Sequence, residues 1–254
     1  LGLLMLMTPL AAALSMLVAP MVGVHRGRVA LPVASLAMAL AFALPGQVAN
    51  VWLFPLAMMC CGAGTGLTDV LMNARVSAIE NSRNIHLMNL CHAAYSFGYA
   101  GAAMGTGAMR AAAWSPGWVM GTMALMAAVF ALLTYEVDGK IEGLARPKGK
   151  GMAHLGLIPV IGGAIVLIAF MTENAAENWS ALHIEKTLGG SPAQGAMGPA
   201  AMALTMGFAR VVGQGLVSRI NPFRLLVLGA GVSAVGATVA ALAVTPAMAY
   251  VGFI

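Results

Sequence analysis

The residue best placed to do chemistry is Asp69, which interrupts the otherwise uncharged apolar run from Val51 to Met72. Asn73 follows four residues later, so the two side chains share one face if the run is helical. A carboxylate at membrane depth costs at least about 2.5 kcal/mol on insertion scales, and such groups usually face a polar cavity or an ion path. Because a low-dielectric cavity disfavours the charged form, we predict that Asp69 takes up and releases protons. The alternative is a structural carboxylate that is hydrogen-bonded to a neighbouring helix.

A second polar stripe contains Asn89, His92 and Ser96, whose spacing places them on one helix face. A neutral imidazole at His92 can hydrogen-bond a solute hydroxyl or relay a proton to Asp69. A histidine that only packs in the helix bundle fits the sequence equally well. We predict Asp69 and His92 as proton-coupling residues, and Asn73, Asn89 and Ser96 as solute-binding residues.

A third group, near the end of a later apolar run, contains Glu173, Glu177 and Trp179. An aromatic face beside carboxylates suits a sugar ring, whose apolar side stacks while its hydroxyls need acceptors. The same chemistry suits an organic cation. Trp179 is also explained as an anchor in the membrane interface, but we predict all three as solute-binding residues.

The composition places these groups in a membrane protein. Of the 254 residues, 60% are hydrophobic and 8% are charged, which gives too little polar surface for a soluble domain of this size. The net charge of +5 does not indicate nucleic-acid binding, because the basic residues are dispersed between apolar runs. Cys60, Cys61 and Cys91 lack the spacing of a zinc site or a disulfide framework. We predict no metal and no cofactor.

Apolar runs near the roughly 20 residues of a membrane-spanning helix occur eight times, followed by the start of a ninth. They cover 1–22, 29–49, 51–79, 86–109, 114–137, 153–174, 194–217 and 222–243, and the ninth begins near 245. If the runs alternate across the bilayer, Arg110 and Lys186 lie on one side and the remaining eleven of the 13 Lys and Arg residues lie on the other. The positive-inside rule puts the larger group in the cytoplasm, so we predict a multi-pass protein of the inner (plasma) membrane.

The stretch from Asp138 to Ala153, DGKIEGLARPKGKGMA, is polar, basic and glycine-containing. We interpret it as a cytoplasmic linker. The predicted organisation is a helical half at 1–137, a linker at 138–152 and a second helical half at 153–254. Neither end of the sequence has the features of a natural terminus, so we expect the chain to be part of a longer protein.

Glycines at positions 62, 64 and 66 form the sequence GAGTG, which has the glycine spacing of a phosphate-binding loop. No strand precedes it, and the segment is a predicted membrane helix, so phosphate binding is not expected. We predict that these glycines allow close helix packing, and that Gly101 and Gly105 do the same in the next run.

The two halves share a weak similarity at their first cytoplasmic turns. VHRGRVALP begins at Val24 and GQGLVSRINPFRLL begins at Gly213, and in each a tight turn with arginines leads into the next run. Transporters built from structural repeats show internal similarity of this kind. We predict anchoring, or alternatively gating, by the arginines on or near these turns, which are Arg26, Arg28, Arg210, Arg219 and Arg224.

These turns resemble the cytoplasmic turn motif of the major facilitator superfamily, although His25, Gln214 and Ser218 stand where that motif usually has acidic residues. GLTDVLMN, from Gly66 to Asn73, resembles the acidic residue and Asn of the fourth helix in the fucose-permease-like bacterial branch. HAAYSFGYAGA, from His92 to Ala102, is similar to the fifth helix of that branch, and the Glu173 region to the outer end of the seventh.

The resemblance implies an all-α, polytopic membrane protein built as a twelve-helix bundle with two pseudo-symmetric halves. This chain would carry the second helix to the beginning of the tenth. The residue that matches Asp69 is associated in the permease branch with proton-coupled sugar uptake. The resemblance therefore implies the same function for Asp69.

We predict a secondary active transporter that moves a small polar, sugar-like solute by alternating access, with a proton as the coupled ion in symport. The alternative is proton-driven efflux of amphipathic or cationic compounds. A more remote alternative is an intramembrane enzyme with Asp69 and His92 as an acid/base pair, but the sequence supplies no nucleophile motif and we predict no enzymatic activity. The expected partners are the solute, the proton and the lipid bilayer, without nucleic acid, and we expect a monomer.

Overall fold

The computed structural model describes residues 2–137, 157–216 and 220–254, and every regular element in these ranges is helical. The α-helices are α1 (Gly2–Arg26), α2 (Ala30–Ala43), α3 (Phe54–Arg83), α4 (Met88–Ala111), α5 (Pro116–Leu132), α6 (Ile158–Leu182), α7 (Pro192–Leu216), α8 (Pro222–Ala241) and α9 (Pro246–Phe253). Each predicted apolar run contains one of them, which confirms the all-α fold class. The predicted linker at 138–152 and Arg219 lie outside the described residues.

Five helical stretches are long and apolar enough to cross a membrane. They are Leu6–Ala43, Phe54–Arg83, Val160–Thr187, Pro192–Leu216 and Phe223–Ala241, and α5 is apolar but shorter. Leu6–Ala43 includes both α1 and α2, which a short 3₁₀ turn at Gly27–Val29 connects. Large apolar side chains on these stretches are exposed, such as Leu17 at 76% and Val232 at 70%. A multi-pass membrane protein exposes such side chains because its solvent is lipid.

Four helices, α5, α7, α8 and α9, begin with a polar residue followed by a proline. Ser115, Asn221 and Thr245 each accept a hydrogen bond from a backbone N–H in the first turn of the helix that follows. At the start of α7 the Ser191 N–H donates to Gln194 Oε1 over 2.8 Å, and the Gln194 N–H donates to Ser191 Oγ over 3.3 Å. These caps satisfy N–H groups that have no acceptor within the helix.

The helices form two compact units. The first contains α1, α2, α3 and α5, and the second contains α4 and α6 to α9. Helix α4 precedes the predicted linker in sequence but packs with helices that follow it. The division into halves at the linker therefore stays a proposal about the complete protein.

In the first unit, α3 packs through glycines against two neighbours. A Cβ added at Gly62 or Gly66 would overlap backbone carbonyls of α1, and one added at Gly64 would lie 2.7 Å from Met38 Cα of α2. The predicted packing role of GAGTG is confirmed. Gly62 and Gly66 lie one turn apart, and they define the face of α3 that packs against α1.

The prediction for Gly101 and Gly105 is wrong, because a Cβ added at either would meet nothing within 4 Å. The buried residues of α4 are Ala93, Ser96, Ala100 and Gly107. Their spacing defines one packing face, and Gly101 and Gly105 lie off it. Gly107 is the glycine of α4 that permits close approach, since its added Cβ would collide with Ala196 of α7.

We expect the variant Gly62→Ala to lower the thermal stability of the complete protein in detergent. The added methyl group would meet α1 backbone that cannot move aside, and overpacking of this kind costs about 1–3 kcal/mol. The matched control is Gly121→Ala in α5, where nothing lies within 4 Å. It should leave the melting temperature unchanged or raise it, because Ala favours helices over Gly by about 1 kcal/mol. Equal melting temperatures for the two variants would contradict the packing described here.

Candidate functional site

The first candidate group lies on α3, where Asn73 Nδ2 donates a hydrogen bond to Asp69 Oδ1 over 3.0 Å. Both side chains are half-buried. The bond agrees with the shared face that their spacing predicts. Because they follow Gly66 by about one and two turns, Asp69 and Asn73 continue the face of α3 that packs against α1. The polar pair is therefore part of a helix-packing surface.

A second carboxylate on α3 has a structural role. Glu80 Oε1 accepts hydrogen bonds from the backbone N–H groups of Leu87 and Met88, at 2.5 and 2.7 Å. These residues stand at the beginning of α4. Glu80 therefore fixes the connection between α3 and α4, whereas Asp69 has its amide partner within its own helix.

An ion pair also ties α3 to the residues after α5. Arg75 Nε donates to Glu136 Oε2 over 2.9 Å, and Arg75 Nη2 contacts the same oxygen. Glu136 is exposed, so the pair lies toward one end of the unit rather than in its interior. Sequence reasoning did not find this pair, since the two residues are 61 positions apart.

In the second unit, α4 and α7 contact each other at several points in antiparallel order. Gly107 meets Ala196 near one end, and the ring of Phe97 lies 2.9 Å from a Cβ added at Gly207 farther along. Phe97 and Phe208 pack edge to face with ring centroids 5.2 Å apart. These contacts fix which residues of α7 face the polar stripe of α4.

Arg210 of α7 lies on that stripe. Its Nη1 donates to the His92 backbone oxygen over 3.1 Å and to Ser96 Oγ over 2.9 Å. Ser96 is 1% exposed, and its own hydroxyl donates to the same His92 oxygen over 3.0 Å. Arg210 is half-buried and stands six residues, about 9 Å, before the end of α7. Its predicted role as an anchor, or alternatively a gate, at the cytoplasmic end of the helix stays a prediction.

The other residues of the α4 stripe are less tightly held. The His92 side chain is half-buried, and its imidazole has no hydrogen-bond partner among the described residues. Asn89 is exposed in the first turn of α4. Asp69 belongs to the first unit and His92 to the second, so proton relay between them stays a prediction.

The α6 group is brought next to the α4 stripe. Glu173 and Glu177 are half-buried, and Glu177 lies within electrostatic reach of both Glu173 and Arg210. Tyr99 of α4 lies within electrostatic reach of Glu177. Trp179 is 44% exposed, which suits an interfacial anchor as well as a solute contact. Glu177 is thus the α6 carboxylate that interacts electrostatically with Arg210 of α7 and Tyr99 of α4.

Two features of this unit were missed from sequence. The rings of Tyr95 and Tyr99 lie one turn apart on α4, with centroids 6.3 Å apart and planes tilted by 42°. Arg110 at the end of α4 forms a two-pronged ion pair with Glu185, with Nη1 to Oε1 at 2.9 Å and Nη2 to Oε2 at 3.0 Å. Glu185 lies in the π-helical turn His183–Thr187, so the pair joins α4 to the connection between α6 and α7.

The remaining turn arginines lie at helix ends. Arg26 is in the last turn of α1, Arg28 in the 3₁₀ turn after it, and Arg224 near the start of α8. All three are exposed, as anchoring residues would be. Across the part of the chain that the structure describes, no three His, Cys, Asp or Glu side chains cluster so that they could hold a metal ion.

Comparison with known proteins adds to this geometry. The chain is 26% identical over 205 residues to an uncharacterised MFS-type transporter of Yersinia pestis, and the match covers 78% of this chain and 51% of that protein. The chain thus spans about half the length of the curated relative it matches. No solved structure gives a significant match.

A family comparison covers the whole sequence. The match to the Major Facilitator Superfamily covers residues 1–254 of this chain. The match agrees with the succession of apolar helices. The chain therefore belongs to the major facilitator superfamily of membrane transporters.

Proposed function

We propose that the complete protein is a proton-coupled secondary transporter of the inner membrane that takes up a small polar, sugar-like solute by alternating access. The observation that supports it is that Asp69, Glu177 and Arg210 are half-buried within helices apolar enough to span a bilayer. Ionisable groups at this depth are costly and usually serve a solute or ion path. Membership of this protein in the fucose-permease-like branch is part of the same proposal.

Asp69 is the proposed proton carrier. Its bonded partner is the Asn73 amide, and among the described residues no cation lies within ion-pair distance of its carboxylate. A carboxylate without a cationic partner in a membrane-spanning helix is the kind of group that serves a solute or ion path, and this supports the proposed role.

The solute-binding groups are proposed to come from α4 and α6. His92 offers an imidazole without a protein partner in the described ranges, and Glu177 offers carboxylate oxygens near the Tyr99 phenol. Hydroxyl groups of a sugar ring need such donors and acceptors, and aromatic rings cover its apolar face.

Proton-driven efflux of organic cations is the second candidate. The closeness of Glu173 and Glu177 favours it, since two carboxylates near a partly exposed Trp179 suit a cation. A panel of hexoses, deoxyhexoses and quaternary ammonium compounds, tested by thermal stabilisation of the complete protein, separates the two candidates.

We expect Asp69→Asn to abolish solute accumulation driven by an inward proton gradient in proteoliposomes. Exchange of solute without a gradient should persist, because the substituted amide cannot carry the proton but preserves the shape of the side chain. The control is Glu80→Gln on the same helix, which should retain accumulation because Glu80 serves the α3–α4 connection. Accumulation by Asp69→Asn at the level of the unmodified protein would remove this carboxylate from the coupling mechanism.

We expect His92→Ala to weaken solute binding about two- to tenfold, as the loss of one neutral hydrogen bond would. The contacts of Arg210 and Ser96 use the His92 backbone oxygen, so the variant removes the imidazole and keeps those contacts. His86→Ala, at an exposed position before α4, is the matched control. Equilibrium binding to the detergent-solubilised protein measures the effect, and unchanged affinity would assign His92 to packing.

A further inference from the structure

Among the described residues, Arg210 is hydrogen-bonded through one nitrogen of its guanidinium group, Nη1. A guanidinium has five N–H donors in a planar fork. Both hydrogen bonds of Arg210 come from Nη1, and both acceptors, the His92 carbonyl and the Ser96 hydroxyl, are uncharged. Within the described ranges, Nε and Nη2 have no acceptor and no carboxylate lies within 4.0 Å of the group. One edge of the fork is therefore available to a ligand.

The available edge is held in a fixed orientation. Ser96 is buried and is itself bonded to the His92 carbonyl, so the two acceptors of Nη1 form a rigid pair on α4. Phe97 and Phe208 pack beside this contact and keep α4 and α7 together. A guanidinium oriented in this way presents Nε and Nη2 side by side, which is the arrangement that binds both oxygens of a carboxylate.

A half-buried cation in a membrane helix needs a counter-charge. Glu177 lies within electrostatic reach of Arg210 but does not form an ion pair with it. A cation with unbonded donors, together with a carboxylate that also interacts with the Tyr99 phenol, suits a ligand with an anionic end and hydroxyl groups. A neutral sugar would leave the guanidinium without a counter-ion, and an organic cation would be repelled by it.

We propose that Arg210 binds a carboxylate group of the transported solute, and that the solute class is a hydroxylated carboxylic acid such as a sugar acid. Nε and Nη2 donate to the two carboxylate oxygens, and Glu177 accepts hydrogen bonds from the solute hydroxyls. This inference rests on the proposed transport function and narrows its substrate from a neutral sugar to an acidic one.

Matched pairs of solutes test the proposal on the complete protein. D-galacturonate is compared with D-galactose, and D-gluconate with D-sorbitol, by thermal stabilisation and by equilibrium binding. We expect at least one acid to bind at least about tenfold more tightly than its neutral partner, as a charge-assisted bidentate contact would produce.

Variants at two positions locate the contact. Arg210→Gln should abolish the preference for the acid, while Arg210→Lys should keep part of it because the positive charge remains. Arg83→Gln, at an exposed arginine in the last turn of α3, is the control and should bind like the unmodified protein. Glu177→Gln removes a nearby negative charge but keeps an oxygen acceptor for the solute hydroxyls. It should therefore increase the preference for the acid over its neutral partner, which tests the site even if Arg210→Gln does not fold.

The outcomes separate this inference from the function on which it rests. Equal binding of acid and neutral partner, no binding of either acid, or an unchanged preference in Arg210→Gln would overturn the carboxylate site. A neutral sugar that binds and is accumulated would leave the transport function in place while removing the acidic substrate class. Acid binding without transport into proteoliposomes would support the site and count against the transport function.

Discussion

Each polar group carried into lipid must find its partner within the protein, and the structure depends on this constraint. Hydrogen bonds within the helices pair the backbone N–H and C=O groups. The Ser, Asn and Thr caps accept hydrogen bonds from N–H groups of the first turn, which have no acceptor within the helix. The ionisable side chains are held in the same way, Asp69 by an amide in its own helix and Arg210 by neutral acceptors on a neighbour. Neither arrangement neutralises the charge, and this distinguishes both from the ion pair of Arg110 and Glu185.

Close helix approach makes these arrangements possible. Helix α1 packs against α3 at Gly62 and Gly66, and α4 packs against α7 at Gly107 and Gly207. Lipid gives no hydrophobic drive for helices to associate, so contact between small residues has to supply the attraction. In each case a polar side chain continues the packed face, Asp69 on α3 and Arg210 on α7. The positions of Asp69 and Arg210 are therefore fixed by the same contacts that hold the helices together.

Much of the fold could be predicted from composition and spacing, because a bilayer requires long apolar helices. The shared face of Asp69 and Asn73 followed from helical periodicity alone. Helical periodicity could not identify Gly107 as the packing glycine of α4, because the face of α4 that packs depends on the position of α7. Arg210 was assigned to a turn by charge counting, although it lies inside the apolar run 194–217. The criterion that singled out Asp69, a charge within an apolar run, would have identified it.

The two units carry complementary chemistry. The first holds a carboxylate, Asp69, whose bonded partner is the Asn73 amide of its own helix. The second holds a guanidinium with one edge unbonded among the described residues and a carboxylate within electrostatic reach, which favours an anionic ligand. A proton and an anion that move together transfer no net charge, so their joint passage avoids the energetic cost that either would meet alone in a low-dielectric medium. The proton carrier that we propose at Asp69 and the anchor that we propose at Arg210 would together suit symport of an acid on electrostatic grounds.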